Sequence, residues 1–409
     1  MSTHPSAAAR PPVLLDPLGR RLFAEAAELR AAGPAVRVRL PENLTAWSVT
    51  RGDVVRTLLN HPDVSRDARH SWPGYEPGAV AWISSFVDTV SMLTTDGADH
   101  ARLRRLVGSA FSARRVEALR PAIEALVAEL IEGLARRTGG EPVDLRAAFS
   151  YQVPTRVICD LFGVPGEQRP DMLALVDSIV NTGASLEAAR LTSERQFLIM
   201  ERLLEYKRAH PGDDMTSQLV NLQAEDGDRL SGRELLSTLV LMIGAGSETT
   251  VSLIDHAVVA LLTHPGQLAE ARRDEARWAD VIEEALRAEP PVMHVPLRFA
   301  TADIDLGEGV TIAAGDLILI AFGAHGRDPA VHADPESFSI DREDKQHLAF
   351  GHGIHFCLGA PLARLEASIA LPALFDAFPR IHLAADPASL ERNTSLIVND
   401  YRALPVHLS

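Results

Sequence analysis

The spacing of apolar positions divides the chain into a short extended region, a long helical body and a return to extended runs. VRVRLPENLTAWSVT, residues 36–50, alternates apolar and polar positions on either side of Pro41-Glu42-Asn43, which predicts a β-hairpin. From about residue 97 to 290 the period is mostly helical, with breaks at Gly139-Gly140, Pro165-Gly166, Pro211-Gly212 and Pro265-Gly266. Short β-type runs return between about 296 and 323, as in DIDLGEGVTIAAGD. A final helix is expected from near Cys357 towards Phe375, and TSLIVNDYRALPVHLS reads as extended. Residues 1–15 read as a flexible head. The predicted fold is mainly α with small β-sheets at its edge.

One predicted helix is unusually long. Ser231 and Glu234 have the spacing of a capping box, the apolar pattern continues to about Leu262, and Pro265 lies just beyond. About thirty residues at about 1.5 Å each cross a whole domain. Its middle holds AGSETT, Ala245 to Thr250. A mid-helix glycine costs ~1 kcal/mol relative to alanine, and a Gly-Ser pair beside an acid and two threonines weakens a helix further. Two readings stand side by side: close packing against a neighbouring helix, or a site where something flat approaches the backbone and polar groups face it.

Composition narrows the class. The chain is 46% apolar and 23% charged, an ordinary globular balance, and its length alone suggests two or more domains. A net charge of −15 argues against a nucleic-acid partner. Two cysteines build no disulfide framework, which fits a reducing, cytoplasmic setting. Cys159 sits among apolar neighbours in RVICDLFGVP and reads as buried structure. The N-terminus lacks the apolar core of a signal peptide, and the run around STLVLMIGAG is too short to span a bilayer, so no membrane anchor is expected.

The other cysteine is placed differently. FGHGIHFCLG, Phe350 to Gly359, surrounds Cys357 with three glycines and two histidines. Gly351 and Gly353 permit tight turns, Gly359 keeps the approach to the sulfur open, and a helix starting at Cys357 would stabilise a thiolate. Three uses compete on these residues: a packed structural thiol, a zinc site with His347, His352 and His355, and axial ligation of haem iron.

FGHGIHFCLG resembles, at every position, the haem-binding signature of the cytochrome P-450 monooxygenases. The resemblance continues in order along nearly the whole chain. AGSETT is similar to the oxygen-activation motif of the central helix, and EEALR supplies the Glu-x-x-Arg pair as Glu284 and Arg287. DGADHARLRRLV carries His100 and Arg104, and PLRFA carries Arg298, where the family holds the haem propionates. The chain resembles soluble actinobacterial members, in the group containing steroid and macrolide hydroxylases. One departure is Ser337 in PESF, where the family often has an arginine bracing the Glu-x-x-Arg pair.

The resemblance implies a triangular-prism fold in one catalytic domain, residues 16–409, overriding the length argument. It implies haem b (iron protoporphyrin IX), with Cys357 as axial thiolate, Phe350 and Gly359 beside it, and His100, Arg104, Arg298 and His355 on the propionates. On the opposite face it implies room for O2 at Ala245 and Gly246, a hydrogen bond to dioxygen from Thr249, and a proton relay through Glu248. Glu284 and Arg287 are expected to stabilise the fold.

For the substrate pocket the expected lining is Phe86, Val90 and Met92 from a lid that also holds Trp72 and Trp82, with Val292, Val295, Leu297, Leu396 and Ile397. These are apolar and carry no charged anchor, which favours a medium-to-large neutral organic substrate. The expected electron donors are a separate ferredoxin and its reductase, for which Arg102, Arg105, Arg114, Arg115 and Arg364 offer a basic patch. The leading expectation is insertion of one oxygen atom of O2 into a C–H bond. Alternatives are oxidative C–C or C–O coupling or cyclisation on the same haem, a peroxide-driven variant, disfavoured by Glu248-Thr249, and a non-catalytic haem sensor.

Overall fold

The computed structural model describes residues 11–108, 111–137, 140–222 and 228–408. Strand-forming sequence collects into a mixed six-stranded sheet, in the order Val13–Leu14, Val36–Arg39, Thr45–Val49, Leu317–Ile320, Arg298–Ala300, Val64–Ser65. The predicted hairpin is its core, with Val36 opposite Ser48 and Arg39 opposite Thr45. Its turn places Glu42 and Asn43 at φ 56° and 59°. Val13–Leu14 pairs parallel to the hairpin and Leu15 is buried, so this end of the predicted head is ordered. Residues 1–10 of that head lie outside the described residues.

The rest is helical and is organised around the long helix. Ser231 Oγ accepts the Glu234 N–H at 3.3 Å and Glu234 Oε2 accepts the Ser231 N–H at 2.8 Å, so the capping box forms as its spacing predicts. The helix runs Gly232–Gly246, breaks at Ser247, and resumes Glu248–Thr263. A Cβ on Gly246 would stand 2.6 Å from Ile158 Cδ1, so close packing against Gln152–Leu161 is one reason for the glycine. The second half is buried along nearly its whole length against Arg277–Ala288 and Ala360–Ala377, through Leu253, Ile254, Leu286 and Leu371. Each such side chain contributes about 1.5–3 kcal/mol when fully buried. Among the described residues Gly232–Thr263 is long and apolar enough to cross a membrane, but most of it is enclosed in the protein.

Two local expectations change. The final helix is Ala360–Ala377, three residues later than Cys357, because Pro361 takes its first turn and Phe356 is extended at ψ 137°. The break at Pro265-Gly266 forms where it was expected: Glu248–Thr263 ends and Pro265 opens a new helix, Pro265–Arg273, directly after His264. Ser337 does not leave the Glu284–Arg287 pair unbraced. Arg342 supplies the guanidinium, with Nε 3.2 Å from Glu284 Oε1 and Nη2 3.0 Å from the Ser337 carbonyl.

Candidate active site

Cys357 lies on the loop between the sheet and the final helix. Gly351 and Gly353 have φ of 74° and 72°, which L side chains rarely adopt, and they fold the loop back so that Cys357 N–H donates to Phe350 O at 2.8 Å. The sulfur opens into a large cavity whose far wall is the break in the central helix. The lining includes Phe350, Cys357 and Gly359 on one face and Ala245, Gly246, Glu248 and Thr249 on the other. The space amounts to about 1930 Å³, counting what is open to solvent at its mouth. Burial pushes the Cys357 thiol up, opposed by the Gly359 and Ala360 N–H groups and more weakly by Arg104 and Arg364. A cation at the sulfur would supply what this site lacks for a thiolate.

One end of the cavity is cationic and lacks an anion. Arg298 is buried with its Nε unpartnered, and His355 Nε2 has no hydrogen bond, its near carboxylate oxygen, Asp96 Oδ1, standing 3.7 Å away. His100 stands behind His355, ring centroids 4.5 Å apart, with its Nε2 also unpartnered. Arg104 lines the cavity and donates to Phe356 O at 2.7 Å. Burial pulls Arg298 down to about 10 and His355 down to about 4. Buried donors left without acceptors each carry a desolvation penalty, so a cluster of them marks a site for a negatively charged ligand. A flat dianionic macrocycle with a metal at its centre would fit, its acid groups held by the unpartnered donors of the cationic end and its metal by Cys357.

A further member of this end was not foreseen. Arg66 is 1% exposed and donates to Leu93 O and Leu297 O, yet its Nη2 has no partner and it lines the same cavity. Burial, then repulsion from Arg298, pulls it down to about 9. In the sequence it reads as one charge of an ordinary SRDAR loop, and only the pairing of Val64–Ser65 with Arg298–Ala300 brings it to Arg298.

Phe86, Met92, Val292, Val295 and Ile397 line the cavity. Val90 does not: its N–H is held by Ser237 Oγ at 2.9 Å, outside the cavity wall. Leu396 does not either, because it turns into the core with Val38 and Phe299 while its N–H and carbonyl are taken by Thr182 and His294. Leu297 and Trp82 are core residues, and Trp72 stacks on Phe299. Thr249 lines the cavity and its hydroxyl donates to Ala245 O at 3.0 Å, leaving the oxygen able to accept. The helix break therefore serves both readings of AGSETT, tight packing at Gly246 and polar groups turned to the cavity.

The zinc arrangement does not form. Among the described residues no three His, Cys, Asp or Glu side chains gather as a metal site, and His347 is hydrogen-bonded to Glu283 at 3.0 Å. The basic patch is largely neutralised: Arg102 pairs with Glu234 and Asp228, Arg105 with Asp228, and Arg364 with Glu283. Within the cysteine loop Ile354 and Phe356 are exposed.

A cysteine loop thus faces a broken central helix across an anion-seeking cavity, in a helix-rich fold with small sheets. The family model for cytochrome P-450 matches residues 278–402. The 2-hydroxy-5-methyl-1-naphthoate 7-hydroxylase of Streptomyces carzinostaticus is 44% identical over 401 residues, covering 97% of each chain. The monooxygenase PikC of Streptomyces venezuelae is 38% identical, over 99% of this chain and 96% of that protein. Among solved structures, CYP154A1 from Streptomyces coelicolor A3(2) superposes with a TM-score of 0.92 at 47% identity, covering 97% of this chain and all of that one. The chain belongs to the cytochrome P-450 family, an O2-using family of enzymes whose cofactor is haem iron.

Proposed function

We propose that this chain, as one catalytic domain over residues 16–409, is a haem b hydroxylase of medium-to-large apolar specialised metabolites. The observation that carries the reading is the cavity: charged only at its cationic end and at Glu248, and apolar where a substrate would lie. Supporting it, the relatives' names include a naphthoate hydroxylase and a 6-deoxyerythronolide B hydroxylase, and a structural neighbour at 41% identity was solved with a steroid bound. The overall reaction balances as RH, O2, two electrons and two protons giving ROH and water.

Cys357 would hold the iron, Phe350 would shield the sulfur, and Arg66, His100, Arg104, Arg298 and His355 would hold the propionates by charge-assisted hydrogen bonds. Bound there, haem would supply O2 activation. Thr249 Oγ1 and the Glu248 carboxyl hold and pass protons on the opposite face. Phe86, Met92, Val292, Val295 and Ile397 orient the substrate and exclude water. A separate ferredoxin with its reductase supplies the electrons in the cytoplasm, docking near Ile354 and Phe356.

Turnover under ¹⁸O2 with a ferredoxin system, on a panel of steroids, macrolides and aromatic polyketides, tests the reading. The expected product gains one labelled oxygen. A product that has lost two hydrogens and gained no label would establish oxidative coupling instead.

A further inference from the structure

A second cleft lies behind the central helix, about 1140 Å³ on the same measure as the first, and it is polar where the haem cavity is apolar. Tyr151, Asp177, Asn393, Asp400 and Arg402 line it. Glu248 lines both spaces, so its side chain is a wall shared between solvent-accessible polar ground and the chamber where Thr249 sits.

Behind that wall one guanidinium holds three carboxyls. Arg146 donates to Glu248 Oε1, to Asp255 Oδ2 at 3.2 Å and to Asp400 Oδ2 at 3.2 Å. All four side chains are at most 9% exposed. Glu248 Oε2, Asp255 Oδ1 and Asp400 Oδ1 have no partner. One positive charge cannot compensate three buried negative ones, so the cluster must hold protons. Of the three carboxyls, Asp400 and Glu248 also face the cleft, as Arg146 does, and there Asn393 Nδ2 donates to Asp400 Oδ2 at 2.7 Å. Burial, and then the adjacent Glu248 carboxyl, push Asp400 up to about 8; burial pushes Asp255 up to about 7, and Asp177 at the cleft up to about 6. The other titratable groups facing the cluster or the cleft are Asp144, Arg402, Tyr401 and Tyr151, the last hydrogen-bonded to Asp177 at 3.2 Å.

We propose that the polar cleft is the proton entrance of this enzyme and that Asp400 is the acid that reloads Glu248. The inference rests on the proton-handling role given above to Glu248 and Thr249. A solvent proton enters at the cleft and resides on the Asp400 carboxyl. It passes to the Glu248 carboxylate, leaving Asp400 ionised beside Arg146. Glu248 then gives it to the Thr249 side of the haem chamber, and a second solvent proton restores Asp400. The cycle runs twice per O2, and the cluster returns to its starting charge each time. Arg146 is a positioning residue that keeps the carboxyls together.

The test is Asp400→Asn in the full holoenzyme. Turnover is expected to fall on the order of tenfold or more, with a larger solvent isotope effect and less product per electron, and Asp400→Glu is expected to recover part of it. Wild-type coupling is expected to decline as pH rises through about 8, because the relay needs Asp400 protonated, and Asp400→Asn is expected to lose that limb. Independently of turnover, the infrared spectrum at neutral pH is expected to show a protonated-carboxyl C=O band that Asp400→Asn removes. Normal turnover in Asp400→Asn, or an unchanged carboxyl band, overturns the proposal. If Asp400→Asn does not fold, a wild-type coupling profile flat from pH 6 to 9 overturns it. Loss of turnover in Glu248→Gln together with normal Asp400→Asn sinks only this inference, whereas normal turnover in Glu248→Gln sinks the role assigned to Glu248 itself.

Discussion

Arg287→Met is expected to cost about 3–5 kcal/mol, a large part of the roughly 5–15 kcal/mol that keeps a protein folded. Arg287 and Glu284 are both fully buried and meet through two hydrogen bonds of 2.8 Å. The guanidinium also serves the carbonyls of Gly326, Pro335 and Ser337 at 2.6–2.8 Å. Methionine fills the volume but leaves Glu284 short of its main counter-charge and strips three carbonyls of a donor. Arg342, at 3.2 Å from Glu284, compensates only in part. Because those carbonyls belong to the segment leading to the cysteine loop, haem retention should fall together with the urea midpoint. A change within about 0.5 kcal/mol, the range of an ordinary surface substitution, would contradict this role.

Glu248→Gln is expected to lower turnover about 10²-fold while substrate still binds. Glutamine keeps the shape of the wall between the two cavities but cannot carry the proton across it. The fold should tolerate the change, since Arg146 keeps Asp255 and Asp400. Spin-state titration reads substrate affinity, and product formation with saturating electron donor reads the loss. Equal loss of both would make Glu248 a structural residue.

Legibility in the sequence followed distance along the chain. The Ser231–Glu234 cap is held within three residues, so spacing alone displays it, whereas the roles of Cys357 and of the Glu284–Arg287 pair came from the resemblance of their motifs to a family. The 36–50 hairpin was legible for the same reason. Arg66, Arg146 and Asp400 were not. Arg146 meets Glu248 and Asp400 across 102 and 254 residues, and in DLRAAF and VNDYR each reads as a charge on a surface. Leu396 was misplaced because apolar character says that a side chain is buried without saying against what. The helix after Cys357 was placed early because its start depends on Pro361 and the preceding extended backbone, not on the apolar period.

The absorption spectrum of the reduced protein with carbon monoxide addresses the assignment of Cys357 directly. A strongly red-shifted Soret band, lost in Cys357→Ala, is the predicted result, because a thiolate donates far more electron density to iron than a nitrogen ligand. A Soret position typical of histidine ligation, or a wild-type band retained in Cys357→Ala, would contradict the account.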